Sequence, residues 1–303
     1  MRTVHFLVLA MLATAPIHSK PSLPDELVLS GDNLIDVVIE GKAFRLEVRP
    51  EAAEAPMLNP AVAAALQLKP GMFGFGARIG PELVSGASAV HRVDYGEGLQ
   101  KQRIFWANRA ASSVADGVIS PASLPYKRVR FTLGTPALGE ALRRLPLDNF
   151  GMLGRIGVGT TVELNARKAQ IQFSLERDEN LVSAPTGNWL AENRGGKLYG
   201  TPRSTVIVYG IERPTRAMAL DEPFRVAGLA VSAVDVRVSD YGDATRIRDD
   251  SAAADTNEEI VVTGKKERKV DPQITVGRNF FKGCSSLLYD LDKREIAISC
   301  LPT

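Results

Sequence analysis

The 303-residue chain is 45% hydrophobic and 24% charged, enough apolar content for one or two folded domains and too much for a disordered chain. Lys+Arg 37 against Asp+Glu 35 leaves a formal net charge of +2, which argues against a nucleic-acid binder that works by bulk charge. Three histidines and two cysteines leave little material for a metal site, and no cofactor is expected.

Residues 1–19 read as a secretory signal peptide. Arg2 is the basic start, Val4 to Ala15 the apolar run, and Ile17 and Ser19 suit the −3 and −1 positions of a cleavage site. Removal of Arg2 would take the count from +2 to +1, and the mature chain would begin near Lys20. No later stretch approaches the length of apolar chain needed to span a bilayer. The expected location is the periplasm of a Gram-negative bacterium or the medium outside it.

The first half then alternates short β-rich runs with turn residues. Leu34 to Ile39, the turn Glu40-Gly41-Lys42, and Phe44 to Val48 read as a hairpin. Asn59 and Pro60 suit the N-cap and first position of a short helix to Leu66. Strands are expected at Ala89 to Val93, Arg103 to Ala107 and Val129 to Leu133, and a helix at Thr135 to Arg144.

After the glycine-rich passage Gly151 to Gly159 the order recurs. Thr161 to Leu164, the turn Asn165-Ala166-Arg167, and Ala169 to Leu175 read again as strand, turn and strand. Trp189 to Asn193 suits a short helix, followed by strands at Thr205 to Tyr209, Phe224 to Ala227 and Leu229 to Val238. A polar, Asp- and Ala-rich insertion is expected near residues 240–273, and Ile274 to Ser299 reads as strand, turn and hairpin. Two β-rich halves of similar order suggest an internal duplication.

Cys284 and Cys300 flank the turn-like Asp290 to Lys293. Folding back at Asp292 sets residue 288 against 296, 286 against 298 and 284 against 300, so a disulfide closing the hairpin is natural in an exported chain.

The run Ile274-Thr275-Val276-Gly277-Arg278-Asn279-Phe280-Phe281, with Leu287 to Asp290 and Arg294 to Ile298 after it, resembles the late segment of the pepsin and retropepsin family of aspartic proteases. Asp116-Gly117-Val118-Ile119-Ser120 resembles the matching segment of the first half, with Ser120 where the family has a glycine. Val38 to Phe44 resembles the hairpin leading into a catalytic loop. The resemblance implies a mainly β, bilobal pepsin-like fold, with an N-terminal lobe over 28–145 and a C-terminal lobe over 155–303. It also implies an Asp-Thr/Ser-Gly after the hairpin of each lobe, because two facing carboxylates must share one proton to work as acid and base.

Those motifs are missing. The first position falls on Arg49-Pro50-Glu51, and arginine stays protonated and cannot act as a base. The second falls near Glu176-Arg177-Asp178. Two readings follow: a non-catalytic relative that binds a peptide or protein in the cleft between lobes, or an aspartic-type hydrolase using displaced carboxylates, Glu51 with Glu176 or Asp178.

Other features have bland and functional readings side by side. The turn Asp94-Tyr95-Gly96, with His91 before it, is either a flap over the cleft or a surface turn. Glu259 to Gly264 resembles the TonB-box peptide of outer-membrane receptors, and is either an edge-strand recognition segment or an ordinary strand. The glycine runs at 71–76 and 154–159 lack the strand–loop–helix context of a nucleotide site.

Overall fold

The computed structural model describes residues 23–150, 157–239, 244, 247–249 and 271–302. The expected signal peptide, Glu259 to Gly264 and most of the polar insertion lie outside the described residues. Strand makes up 55% of the structure and helix 10%, so the chain is mainly β.

In the first half, strand β1 (Glu26–Leu29) precedes the hairpin of β2 (Leu34–Ile39) and β3 (Lys42–Val48). Glu40 and Gly41 turn it with positive φ angles of 47° and 82°, the left-handed pair that matches the twist of the flanking strands. β4 (Met57–Leu58), the helix α1 (Pro60–Ala65) and a meander of β5 (Gly74–Ile79), β6 (Glu82–Asp94) and β7 (Gln100–Ala107) follow. β8 (Gly117–Ile119), a 3-10 turn over Pro121–Ser123 and β9 (Arg128–Thr132) complete it.

Six of these strands form a closed barrel in the order β2-β3-β8-β4-β7-β6, because Val38 pairs with Asp94 and Ile39 with Val93. Closure removes the open edges of the sheet. Ile39, Leu46, Leu58, Ile104 and Ile119 are wholly buried, and burial of each such side chain stabilises by about 1.5–3 kcal/mol.

β10 (Ala141–Pro146) and β11 (Asp148–Asn149) lead to the second half. There β12 (Val158–Leu164) and β13 (Arg167–Phe173) make a hairpin, followed by β14 (Leu181–Val182) and the helix α2 (Ala184–Arg194). The long strands β15 (Gly196–Val208) and β16 (Ile211–Val226) are followed by β17 (Leu229–Arg237) and β18 (Arg248–Asp249). Last come β19 (Gln273–Val276), a 3-10 turn over Arg278–Phe281, β20 (Cys284–Asp290) and β21 (Glu295–Cys300).

The second sheet runs β12-β13-β19-β14-β17-β16-β15, flanked by β11 and β18, and repeats the first sheet strand for strand. The directions repeat as well. β3 is parallel to β8 as β13 is to β19, and β4 is antiparallel to β8 as β14 is to β19. A third sheet, β1-β9-β20-β21-β10, takes strands from both halves, so the division at residues 145–155 does not separate the sheets.

Cys284 and Cys300 form a disulfide, with Cα atoms 3.8 Å apart. The hairpin register differs from the expected one: Leu288 faces Ala297 and Tyr289 faces Ile296, because the loop is 291–294, and a bulge at Ser285 brings the cysteines back into line. Two further expectations are corrected. Thr135 to Arg144 contains no helix; Ala141–Pro146 is a strand, since pairing with β21 covers Leu145 and lets Arg143 reach Ala227 O at 3.1 Å. Helix α2 starts at Ala184, five residues before Trp189, and ends on Gly195 at φ 65°.

Candidate functional site at the junction of the halves

The loops after β3 and β13 occupy equivalent places, and backbone hydrogen bonds fix their register. Val48 pairs with Ile119 and Phe173 with Val276. One residue on, Arg49 N donates to Ile119 O at 2.9 Å and Ser174 N donates to Val276 O at 2.8 Å. Ser174 is therefore the counterpart of Arg49, Leu175 of Pro50, and Glu176 of Glu51. The expected second position, Glu176 to Asp178, is two residues late.

The two loops hold each other reciprocally. Arg49 Nη2 lies 3.2 Å from Glu176 Oε2, and Ser174 Oγ donates to Glu51 Oε1 at 2.8 Å. Each half thus offers its first loop residue to the third loop residue of the other. Arg49 is held from its own side too: Nη2 donates to Glu47 Oε2 at 2.7 Å and Nη1 to Ala111 O at 3.3 Å. Glu47, on β3 and only 3% exposed, also accepts from Ser112 Oγ at 2.6 Å. The side chains of Glu47 and Glu176 thus share Arg49 Nη2, at 2.7 and 3.2 Å.

This arrangement sets the proton affinities. Burial, the interaction with Glu47 and the negative charges of Glu47 and Glu51 push Glu176 up to about 7, against the pull of Arg49. Burial opposes ionisation of Glu47 as well, but hydrogen bonds from Arg49 and Ser112 and the interaction with Glu176 outweigh it and hold Glu47 below the ordinary value. Glu51 is raised by burial despite Ser174, Arg49 and Arg177. Its Oε2, Arg49 Nε, Arg177 Nε and Tyr289 Oη are buried and find no hydrogen-bond partner among the described residues.

A hairpin from the second half lies beside this junction. Arg177 Nη2 donates to Ile207 O at 2.8 Å. Ile207, Tyr209 and Ile211 pack with Phe75, Ile79 and Val84 from the β5–β6 hairpin and with Ala52 and Met57. The two long hairpins, equivalent in the strand order, therefore meet each other next to the loops.

The remaining candidates sit elsewhere. Asp178 is half-exposed and paired with Arg278 at 2.9 Å. Asp94, Tyr95 and Gly96 join β6 to β7 at the end of β6 remote from its hairpin tip with β5. Asp94 Oδ1 caps Gly96 N and Gly98 N at 2.7 Å, and Tyr95 Oη donates to Gln102. His91 Nδ1 is 3.3 Å from Glu40 Oε1 at the β2–β3 turn. Arg49 lies at the other end of β3, about 20 Å away at a strand rise of about 3.3 Å per residue. The flap reading is thereby replaced by a turn closed on itself, and the hairpins near the loops are β5–β6 and β15–β16.

The late segments hold the loops in place. Asp116 Oδ2 accepts from Arg45 N at 2.9 Å, tying β8 to β3. A Cβ on Gly117 would lie 2.4 Å from Met57 O, and one on Gly277 2.4 Å from Glu179 O, so both positions need glycine for close backbone approach. Ser120, the counterpart of Gly277, caps Ala122 N at 3.3 Å.

Sequence reasoning missed Glu47, Ser112 and Ser174. Glu47 stands in a strand whose neighbours Leu46 and Val48 are buried. A charged residue in such an apolar run, two before Arg49, is the one signal that was present.

Among the described residues no group of three His, Cys, Asp or Glu is placed to hold a metal, and no helix is long and apolar enough to cross a membrane. The chain matches no protein-family model and no curated protein sequence.

Proposed function

We propose that this is a non-catalytic protein of the pepsin and retropepsin fold, which binds an extended peptide or protein segment in the cleft between its halves. One observation carries the reading: the two positions that would hold the acid pair are Arg49 and Ser174, and the Arg49 guanidinium sits between Glu47 and Glu176. A guanidinium keeps a neighbouring carboxylate ionised and opposes the equal sharing of a proton on which that chemistry depends. Ser174 is wholly buried and already donates to Glu51, so it offers no nucleophile. The repeated strand order supports the fold, and the meeting hairpins support a cleft beside the loops. The disulfide fits an oxidising compartment, the periplasm or the cell exterior.

A second reading has its own observation. Glu47 and Glu176 both lie on Arg49 Nη2, and burial with the neighbouring negative charges pushes Glu176 up to about 7. That pair is the place to look for hydrolysis by displaced carboxylates. In the pairing expected from sequence, Glu51 with Glu176, the charge of Glu51 also raises the proton affinity of Glu176.

The test is a peptide library incubated with the purified protein across pH 3–8, read for both cleavage and retention. Retention of particular peptides without cleavage is the expected result. Specific cleavage that disappears in Glu176→Gln or Glu47→Gln overturns the non-catalytic reading and installs the second. The absence of both retention and cleavage rejects the cleft as a peptide site.

A further inference from the structure

We propose that a cavity of about 450 Å³ between the segment 133–140, the 3-10 turn Arg278–Phe281 and the start of β20 binds a small carboxylic acid with an apolar body. That volume falls within the range of small-molecule sites, about 300–1,000 Å³. The proposal does not depend on the peptide-binding reading of the cleft between the halves.

The cavity exists because the halves connect their late strands differently. β20 turns into β21 through residues 291–294, whereas β9 reaches β10 through the longer segment 133–140. The extra length makes a wall, and that wall is anchored at both ends. Leu133 N donates to Ser285 O at 2.8 Å, and Glu140 Oε2 accepts from Ser285 Oγ at 2.5 Å. Glu140 Oε1 closes the segment on itself by accepting from Ala137 N at 2.9 Å. Leu301, another wall residue, is fixed by its own N–H, which donates to Gly283 O at 2.9 Å. A site held in shape by contacts of the chain does not charge its ligand for ordering it.

The lining decides the ligand class. Leu133, Leu175, Phe281 and Leu301 supply apolar surface. Three charged residues, Glu140, Arg278 and Lys282, line the cavity with them. Glu140 has both oxygens occupied, and Arg278 is paired with Asp178 at 2.9 Å. The Lys282 ammonium and the Thr135 hydroxyl, both on exposed residues, have no side-chain partner among the described residues. An ammonium donates only, and a hydroxyl can donate too, so the uncommitted groups call for an acceptor. A carboxylate joined to a short aliphatic or aromatic body answers both the donors and the apolar wall. An inorganic anion leaves the wall unused, and a cation meets Lys282 with like charge.

Titration calorimetry on the whole protein tests this with three probes of one chain length: octanoate, 1-octanol and octylammonium. Octanoate should bind saturably and about two- to fivefold more tightly than 1-octanol, the range of an exposed charge pair, with octylammonium weakest. Added salt should shrink the advantage of octanoate. Lys282→Met keeps the apolar stem and removes the charge, so it should bring octanoate down to 1-octanol. Leu133→Trp fills the cavity and should weaken every probe. The absence of saturable octanoate binding, a preference for octylammonium, or octanoate binding unchanged in Lys282→Met overturns the proposal. Octanoate binding unchanged in Leu133→Trp does so too, because the ligand then sits elsewhere. Should Leu133→Trp fold poorly, Lys282→Met carries the test, since it alters an exposed side chain. Peptide retention is read separately, so its failure leaves this site standing.

Discussion

The two halves share one strand order around their central loops, yet they treat those loops differently. The first half fills its loop with charge: Arg49 is held by Glu47 and Ala111 O, and Glu47 in turn by Ser112, all from its own half. The second places a hydroxyl, Ser174, at the same point and leaves Glu176 more open. A second difference lies one strand away. Gly277 N donates to Asn180 Oδ1 at 3.0 Å, and the carbonyls of Asp178 and Glu179 crowd its Cα. In the first half Ser120 fits at this point and caps a 3-10 turn. The strand frame tolerates unlike loops because the contacts that fix its register are backbone hydrogen bonds. The loop side chains then decide what the junction can do.

The largest way to unbalance the halves is at the end of the second one. The first half finishes on β9, which lies between β1 and β20, whereas β20 and β21 are clamped by Cys284 and Cys300. Replacing both cysteines with alanine should cost about 3 kcal/mol by the entropy of opening a loop of this length. Urea unfolding of the double variant against the oxidised parent measures it. A reducing agent should reproduce the loss in the parent and leave the variant unchanged.

Next in size is Gly277→Ser, which gives the second half the residue of the first. Its Cβ would meet Glu179 O at 2.4 Å and Asp178 O at 2.7 Å, both backbone atoms of the loop that carries Glu176. Overpacking of this kind costs about 1–3 kcal/mol. The loss should be accompanied by faster hydrogen exchange at residues 176–180, since the loop must shift to make room.

The pH dependence follows from the more open loop. Glu176 has its proton affinity raised in the folded chain, to about 7 from an ordinary 4.5. Between those values the folded protein holds a proton that the unfolded chain has lost. Stability from this group is therefore complete below about 4.5 and declines as pH rises to about 7. Glu51, raised by burial, acts in the same direction, and Glu47, lowered, in the opposite one. Unfolding midpoints across pH 4–8 should show a decline that Glu176→Gln flattens. A midpoint rising through this range in the parent contradicts the assignment.

Much of the frame could be read from residues alone, because local rules and final contacts agree there. Leu34 to Ile39 with its Glu40-Gly41 turn is a strand and hairpin in isolation and in the barrel, and the disulfide follows from hairpin spacing. Failures arise where partners distant in sequence decide. Ala141–Pro146 becomes a strand only because β21 lies beside it. Asn59 does sit before α1, but its side chain serves another segment. Its Nδ2 donates to Ser112 O and Ala115 O, and its Oδ1 accepts from Ala111 N and Ser112 N. The site was legible in half. Arg49, Glu51 and Glu176 were in view, but their partners Glu47, Ser112 and Ser174 emerge only once the register places Ser174 opposite Arg49 and the 111–115 segment reaches β3.

The smallest effect sharpens the comparison most. Ser120→Gly is the converse of Gly277→Ser, giving the first half the residue of the second. Nothing should collide, because a side chain is removed. What disappears is the hydrogen bond of Ser120 Oγ with Ala122 N, itself long at 3.3 Å. Glycine is a fair substitute at such a capping position and costs only a few tenths of a kcal/mol there. Added chain freedom in the unfolded state raises the total to about 0.5–1 kcal/mol. If equivalence of strand order implied equivalence of environment, both exchanges would be alike in size. The structure predicts inequality, since only the second half brings two loop carbonyls within 2.7 Å of that Cβ. Equal losses by urea unfolding, or a larger loss for Ser120→Gly, would show that the crowding at Gly277 relaxes freely and that the second loop is no more tightly held than the first.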